Sequence, residues 1–357
     1  MPTPRTFSWC FYVFLLLFAR IGAADWSESF HVDATLNDVY FPDPQTGWCV
    51  GDRGTIYHTR DAGATWERQV SPADCSLESV HFLDVRNGWA VGGRPIPYTT
   101  QSESIVLATV NGGETWTRLH SELLPWLKQV RFFDRNNGIA CGLASNMYPS
   151  GIVTTKDGGL TWTGIQGRVS GACQQFDVGP NRVGFGVTSN GQVLSLAHGS
   201  TRFVPIPSSA QPFSQPFVPD CVAVTDSRRV ILGGGHGTLR TSRDNGESWE
   251  TSTHSAGPIG LRTITSVQDH IWAGGAPGNA ILRSTDGGNT WRSFQIDNAL
   301  PLNAMYFTDV NRGWAVGGMG TVMQTLNGGQ TWQRQSLSGH TPVPHHAAFM
   351  VVTNDLE

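Results

Sequence analysis

Six times in 357 residues the chain repeats one eight-residue phrase: Ser or Thr, any residue, Asp or Asn, any residue, Gly, any residue, Thr or Ser, then Trp. It occurs as TRDAGATW (Thr59–Trp66), TVNGGETW (Thr109–Trp116), TKDGGLTW (Thr155–Trp162), SRDNGESW (Ser242–Trp249), STDGGNTW (Ser284–Trp291) and TLNGGQTW (Thr325–Trp332). One such phrase would raise the question of a site. Six raise the question of what a repeated unit builds, because chains with internal periods of roughly 20–50 residues stack their units.

A second phrase precedes the first. FPDPQTGWCVG begins at Phe41, FLDVRNGWAVG at Phe82, FFDRNNGIACG at Phe132 and FTDVNRGWAVG at Phe307, with weaker forms at Arg182, Arg229 and His270. Units therefore start near Leu36, Leu77, Leu127, Ala172, Cys221, Leu261 and Leu302. The step from Trp162 to Trp249 spans two periods, so one unit has lost its Trp phrase and keeps only TRFVPI around Phe203. Within a unit, runs of four to six residues rich in Val, Thr and aromatics are bounded by Gly, Asp and Asn. In the first unit these runs are NDVYF, GWCVG, TIYHT and TWERQV. Such runs are strands. No 3.6-residue apolar period is sustained after the first 24 residues, so very little helix is expected. Four strands per unit and seven units predict an all-β, seven-bladed β-propeller of four-stranded antiparallel blades.

The Trp phrase falls between the third and fourth strands, at a hairpin. The Asp or Asn side chain accepts from backbone N–H groups just beyond it, and the Gly two residues on takes φ > 0 without penalty. The Trp opens the fourth strand and covers the hairpin; burying ~150–250 Å² is worth at most about 4–6 kcal/mol. Asp61, Asn111, Asp157, Asp244, Asp286 and Asn327, with Trp66, Trp116, Trp162, Trp249, Trp291 and Trp332, are on this reading structural. A catalytic acid or a Ca²⁺ ligand is the competing reading of Asp61 and Asp157. Asn at 111 and 327 argues against it, because Asn keeps the acceptor and drops the charge such roles need.

Residues 1–24 read as an export signal: Arg5, the apolar run Cys10–Phe18, then the small residues of Ile21–Ala24. The propeller is expected over 25–340 and a solvated tail over 341–357. Without residues 1–24 the chain holds 22 basic and 28 acidic residues, a net charge of −6, which favours neither nucleic acid nor an anionic membrane. The expected location is periplasmic or extracellular. Five cysteines remain, an odd number that forbids complete pairing. Cys49 and Cys141 fall at strand interiors as small core residues, while Cys173 and Cys221 begin adjacent units and are a possible pair. The three histidines of His340–His346 read as tail rather than as a metal site, and His236 as a turn residue. No metal, cofactor or catalytic constellation is expected.

The Trp phrase resembles the Asp box, or bacterial neuraminidase repeat, of sialidases, several glycosidases and sortilin-type receptors. Its pairing with GWAVG in nearly every unit is narrower and resembles the photosystem II stability and assembly factor family. That resemblance covers Leu36 to about Gln335. It implies a seven-bladed propeller that binds a membrane-protein precursor, without catalysis or cofactor, and the thylakoid lumen as location if the host is photosynthetic. The missing box in the fourth unit and the acidic balance depart from what would announce such a partner. Two other readings compete. A sialidase-like glycoside hydrolase needs an Arg cluster, an Asp acid/base and a Tyr–Glu nucleophile pair. Its typical Arg-Ile-Pro signature is only echoed here in GRPIPY (Gly93–Tyr98). A receptor for secreted peptides or carbohydrate is the third.

Three insertions are long: Gly92–Ser104, Gly142–Gly151 and Pro207–Asp220. The first two join second to third strands and the last links two blades, so all three fall on one face, opposite the Asp-box hairpins. Each carries Tyr or Phe with Pro. Arg94, Tyr98, Tyr148, Phe213 and Phe217 are thus the expected exposed anchors for a protein partner, membrane- or envelope-associated, bound by a monomer. WSESFHV (Trp26–Val32) resembles a fourth strand without a blade and is expected to help close the ring against the seventh.

Overall fold

The computed structural model describes residues 34–337, apart from 100, 120–123, 166–168, 170, 180–181, 198–202, 208–216, 227, 253, 255–256 and 299. The expected signal, the Trp26–Val32 segment, Phe213 and the His-rich tail lie outside the described residues. Seven four-stranded antiparallel sheets follow one another, each made from four consecutive strands. Helix among the described residues is limited to two 3-10 turns, Asp52–Gly54 and Gly235–Gly237, the latter holding His236 at φ 57°.

Blade 1 shows the plan: β1 (Leu36–Tyr40), β2 (Gly47–Gly51), β3 (Thr55–Thr59) and β4 (Glu67–Arg68) pair in sequence order. The first strands of the other blades are β5 (Ser76–Phe82), β9 (Leu127–Phe132), β13 (Cys173–Val178), β17 (Pro219–Val224), β21 (Gly260–Val267) and β25 (Leu302–Phe307). They stand side by side around the axis. Blade 4, which lost its Trp phrase, still completes four strands, with β16 (Phe203–Pro205) outermost. There Phe203 takes the place of the missing Trp and meets Phe176 edge-on, with centroids 5.7 Å apart.

The Asp box builds the same turn each time. Thr59 Oγ1 accepts from Gly63 N at 2.8 Å, while Asp61 accepts from Thr65 N at 2.8 Å and from Thr65 Oγ1 at 2.6 Å. Gly63 sits at φ +87°. Asn111 keeps the backbone bond, accepting from Thr115 N at 3.1 Å, and its amide donates to Thr115 Oγ1 in place of the accepted hydroxyl.

The second phrase is decoded by packing between blades. Its Phe lies on its first Gly: a Cβ on Gly47 would meet the Phe41 ring at 2.4 Å. Its Trp lies flat on the Phe of the next blade. Trp48 stacks on Phe82, Trp89 on Phe132, Trp272 on Phe307 and Trp314 on Phe41, with centroids 3.6–3.7 Å apart. Each of these Phe rings also meets the edge of its own Asp-box Trp, at 5.9–6.1 Å. Its last Gly faces a β-bulge, an extra residue that interrupts the pairing of every first strand. A Cβ on Gly92 would strike Ser76 O at 1.9 Å.

The ring closes by side chains between blade 7 and blade 1. The seventh sheet has its own fourth strand, β28 (Gln333–Arg334). Trp314 Nε1 and Gln324 Nε2 donate to Ala62 O, Asn303 Nδ2 donates to Leu36 O, and Leu337 forms a parallel bridge with Trp66.

All five described cysteines are buried and unbridged. Cys173 and Cys221 belong to different core clusters, which corrects their expected pairing: Cys173 packs between blades 3 and 4, Cys221 between blades 5 and 6.

Two stability predictions follow from these contacts. Asp286 accepts from Thr290 N, Thr290 Oγ1 and Ser284 Oγ. Asp286→Ala, like loss of a helix cap, costs about 0.5–2 kcal/mol in urea unfolding, and Asp286→Asn costs less. Trp272→Ala removes a stacked, fully buried indole and costs about 3–5 kcal/mol. If Trp272→Ala proved milder than Asp286→Ala, the ring would not depend on the stacks.

Candidate functional site

A partner has two places to bind: the central channel and the face bearing the turns between second and third strands. The channel encloses about 1050 Å³ and is lined by the seven first strands. At the mouth on the insertion-bearing face stand the seven bulge residues: Asn37, Glu78, Lys128, Gln174, Asp220, Arg262 and Asn303. Their charges alternate and partly pair, with Lys128 Nζ 3.0 Å from Glu78 Oε1. Deeper in, Arg131 pairs with Asp177 at 3.0 Å, and Tyr40 lies against both His81 and Tyr306.

Much of this polar wall is used to join blades. The inner edge of each first strand would otherwise leave N–H groups unpaired. The residue after the bulge meets this need: Asp38 accepts from Val80 N, Ser79 from Val130 N, Gln129 from Phe176 N, Gln175 from Val222 N and Thr263 from Met305 N, at 2.8–3.4 Å. His81 Nδ1 accepts from Phe132 N at 3.4 Å and Asp177 Oδ2 from Val224 N at 2.8 Å. Sequence reasoning did not single out this set. Its signal is a polar residue two places after Leu36, Leu77, Leu127, Cys173 and Leu261, visible only once the units are aligned on the bulge.

The expected anchors come apart. Tyr98 is fully exposed at the tip of an extended hairpin, at φ 63°, between β6 (Gly88–Pro95) and β7 (Ser102–Thr109). Arg94, exposed on the same hairpin, forms ion pairs with Asp74 and Glu103, both at 3.2 Å. Tyr148 is half-buried: its ring covers Gly164, whose missing side chain makes the room. Phe217 is a correction. It is buried at 9% exposure among Phe185, Val222 and Leu232, with the Arg240 guanidinium 5.0 Å above its ring. Phe217 thus packs onto the junction of blades 4 and 5. Exposed apolar residues on this face that the sequence reading missed include Met147 and Met319, at 62% and 55% exposure. Met147 sits beside Tyr148 in the same insertion, and Met319 in the blade 7 turn between its second and third strands. The Asp-box face exposes Val110, Leu160 and Leu326, one side chain per hairpin on blades 2, 3 and 7.

The family model for the photosynthesis system II assembly factor YCF48 matches residues 20–205, just over half of the chain. The chain belongs to the YCF48 family. Curated relatives agree. The chain is 26% identical over 306 residues to the photosystem II assembly protein Ycf48 of Synechococcus sp. (strain JA-2-3B'a(2-13)), covering 80% of this chain and 83% of that one. It is 28% identical over 333 residues to the photosystem II assembly lipoprotein Ycf48 of Picosynechococcus sp. (strain ATCC 27264 / PCC 7002 / PR-6), covering 85% and 88%. Among solved structures, YCF48 bound to D1 peptide superposes with a TM-score of 0.65 at 24% identity, over 83% of this chain and 94% of that one. A GH74 xyloglucanase from Xanthomonas campestris superposes at 0.61 and 14% identity, over 85% of this chain and 55% of that one. The seven-bladed ring is thus shared with the YCF48 family and, as a fold, with an enzyme.

Asp38 and His81 in the channel wall, and His58 on β3 against Trp48, carry opposed titrations. Burial, and then the charge of Arg131, lowers His81 to about 3; burial, and then Arg60, lowers His58 to about 4. A histidine with a folded pKa below its ordinary 6.5 stabilises the fold above that value and loses the contribution as pH falls. Burial raises Asp38 from 3.8 to about 6, against its hydrogen bonds, so it stabilises at low pH and loses that contribution as pH rises through 6. The two histidines outweigh the carboxyl, so urea midpoints should fall on acidification from about pH 7 to 4. His81→Asn flattens this slope and Asp38→Asn steepens it. An unchanged slope in His81→Asn would show that its ring is solvated.

Proposed function

We propose that this protein is an exported, non-catalytic assembly factor that captures a peptide segment of a membrane-protein subunit, acting as a monomer. Family membership carries this reading: relatives that align over most of the chain are named photosystem II assembly proteins, and one solved relative holds a D1 peptide. The relatives named as lipoproteins support an envelope or thylakoid-lumen location.

The chemistry of the channel supports a binding role over hydrolysis. A retaining or inverting glycosidase needs two carboxyl groups free to act on one bond. Here Glu78 pairs with Lys128 and Asp177 with Arg131, and Asp220 at the mouth lies near the charge of Arg262. Asp38, the carboxyl raised to about 6, already accepts from Val39 N and Val80 N at 2.8 and 3.0 Å.

For the docking surface we assign the insertion-bearing face, with Tyr98 and Met147 as apolar anchors, Arg94 beside them and Tyr148 as the support under Met147. Exposed apolar side chains on a rigid, short-looped ring cost little entropy to order on binding. The test is titration of a fluorescently labelled D1 peptide. Tyr98→Ala with Met147→Ala should weaken binding by about 10–30-fold, the size of a hot-spot loss, with the melting temperature nearly unchanged. Glu114→Ala with Asn289→Ala, on the Asp-box face, should leave it unaltered. The reverse pattern would move the site to the other face, and release of sugar from xyloglucan or a sialoside by the purified protein would replace the binding role with an enzymatic one.

A further inference from the structure

The junction between blades 3 and 4 differs from its neighbours. Where four other junctions place Trp on Phe, it has Ile139 and Val178, and blade 4 has no Asp box to cover the seam. One more substitution occurs there. The residue before the last Gly of each second strand packs against the residue that opens the next blade: Val50 with Leu77, Val91 with Leu127, Val316 with Leu36. At the junction of blades 3 and 4 these two positions are Cys141 and Cys173, both at 0% exposure and packed in the same buried cluster. An apolar pair fills this place elsewhere, and only here are both members cysteines among the pairs named.

We propose that Cys141 and Cys173 form a cross-blade disulfide that staples this junction, one of those without an aromatic stack. The bond would add a covalent link between two sheets that otherwise meet through buried Ile, Val, Leu and Phe side chains and the polar contacts of Gln129 and Arg131. It would close a loop of about thirty residues in the unfolded chain, the situation in which a disulfide stabilises by restricting that state. The oxidant is an external disulfide, small-molecule or protein. The thiolate of one cysteine attacks it, forming a mixed disulfide and releasing one external thiolate. The thiolate of the other then attacks the chain's own sulfur and releases the second. The chain gives up two protons and two electrons, and the external disulfide becomes two thiols. Because both sulfurs are sealed in the finished ring, and burial holds the Cys141 thiol well above its ordinary pKa, the exchange takes place before blade 4 docks on blade 3.

The experiment is refolding of the full chain from denaturant with oxidised or with reduced glutathione, followed by digestion without reduction and mass spectrometry. The oxidised sample should yield a Cys141–Cys173 linked peptide, about 2 Da lighter than the sum of its parts. It should also melt several degrees above the reduced sample. Cys141→Val with Cys173→Leu restores the apolar pair of the other junctions; it should fold, give no link and melt alike under both conditions. Three outcomes overturn the proposal: folded, oxidised protein with both thiols free; a dominant link from either cysteine to another, Cys221 included; or a Cys141–Cys173 link with no gain in melting temperature.

Discussion

The ring depends on an indole from one blade lying flat on a phenyl ring of the next. At four junctions the Trp of a second strand covers the Phe that ends the next blade's first strand. That Phe is fixed from every side: a Gly of its own blade beneath it, the neighbouring Trp above it, and its own Asp-box Trp at its edge. Flat and edge-on contacts at these separations are the favoured aromatic geometries, and large buried rings supply most of the area a junction removes from water. The stack also positions a polar bond. Trp89, Trp272 and Trp314 donate Nε1 to Gly158 O, Gly328 O and Ala62 O, the carbonyl that follows the box Asp or Asn in the next blade. Where no such indole bond forms, other donors reach the same carbonyl: Gln69 at Gly112 O, and Arg229 at Gly287 O and Asp286 O. The Asp box therefore acts twice. Its side chain shapes a hairpin within one blade, and its backbone is the docking point for the blade before.

A propeller must also dispose of seven inner strand edges, which face one another around a channel too wide for strand-to-strand pairing. Bulges in the first strands turn additional polar side chains toward the axis, and the residue after the bulge accepts an N–H from the adjacent blade. Much of the channel wall is thereby committed to joining blades, which favours the proposed docking of a partner on the turns outside it.

How far this was legible in the residues varied with the kind of interaction. The blade count, the repeat starts and the Asp-box turn all follow from local grammar: a Gly at positive φ, an Asn that replaces Asp without loss of the backbone bond, a period near 45 residues. Even the degenerate fourth unit was recoverable, because Phe203 is aromatic where Trp is missing. What sequence could not give is which side chain meets which across a junction. Cys173 looked like a partner for Cys221 because both open a unit, yet Cys173 precedes its bulge and packs on blade 3 while Cys221 follows its bulge and packs toward blade 6. Phe217 looked exposed because it lies in a Pro-rich link, yet it covers Gly234, a position with no side chain of its own. Met147 was passed over for Tyr148 because aromatics are the commoner anchors, while the ring of Tyr148 is the one turned inward.

The four Trp–Phe stacks are not scattered. They occupy the consecutive junctions from blade 6 through blades 7, 1 and 2 to blade 3, with the closing seam among them. Six junctions are crossed by the chain itself, which keeps each pair of blades at high effective concentration. The seam between blades 7 and 1 has no link from one blade directly to the next, so its non-covalent contacts must hold alone what a connection holds elsewhere. Aromatic density centred there is the physical answer, extended to the neighbours whose alignment sets the gap that the seam must match. Tyr98, Met147 and Met319 project from blades 2, 3 and 7, within this same arc. The docking proposed across them would thus fall on the arc of the ring that carries its Trp–Phe stacks.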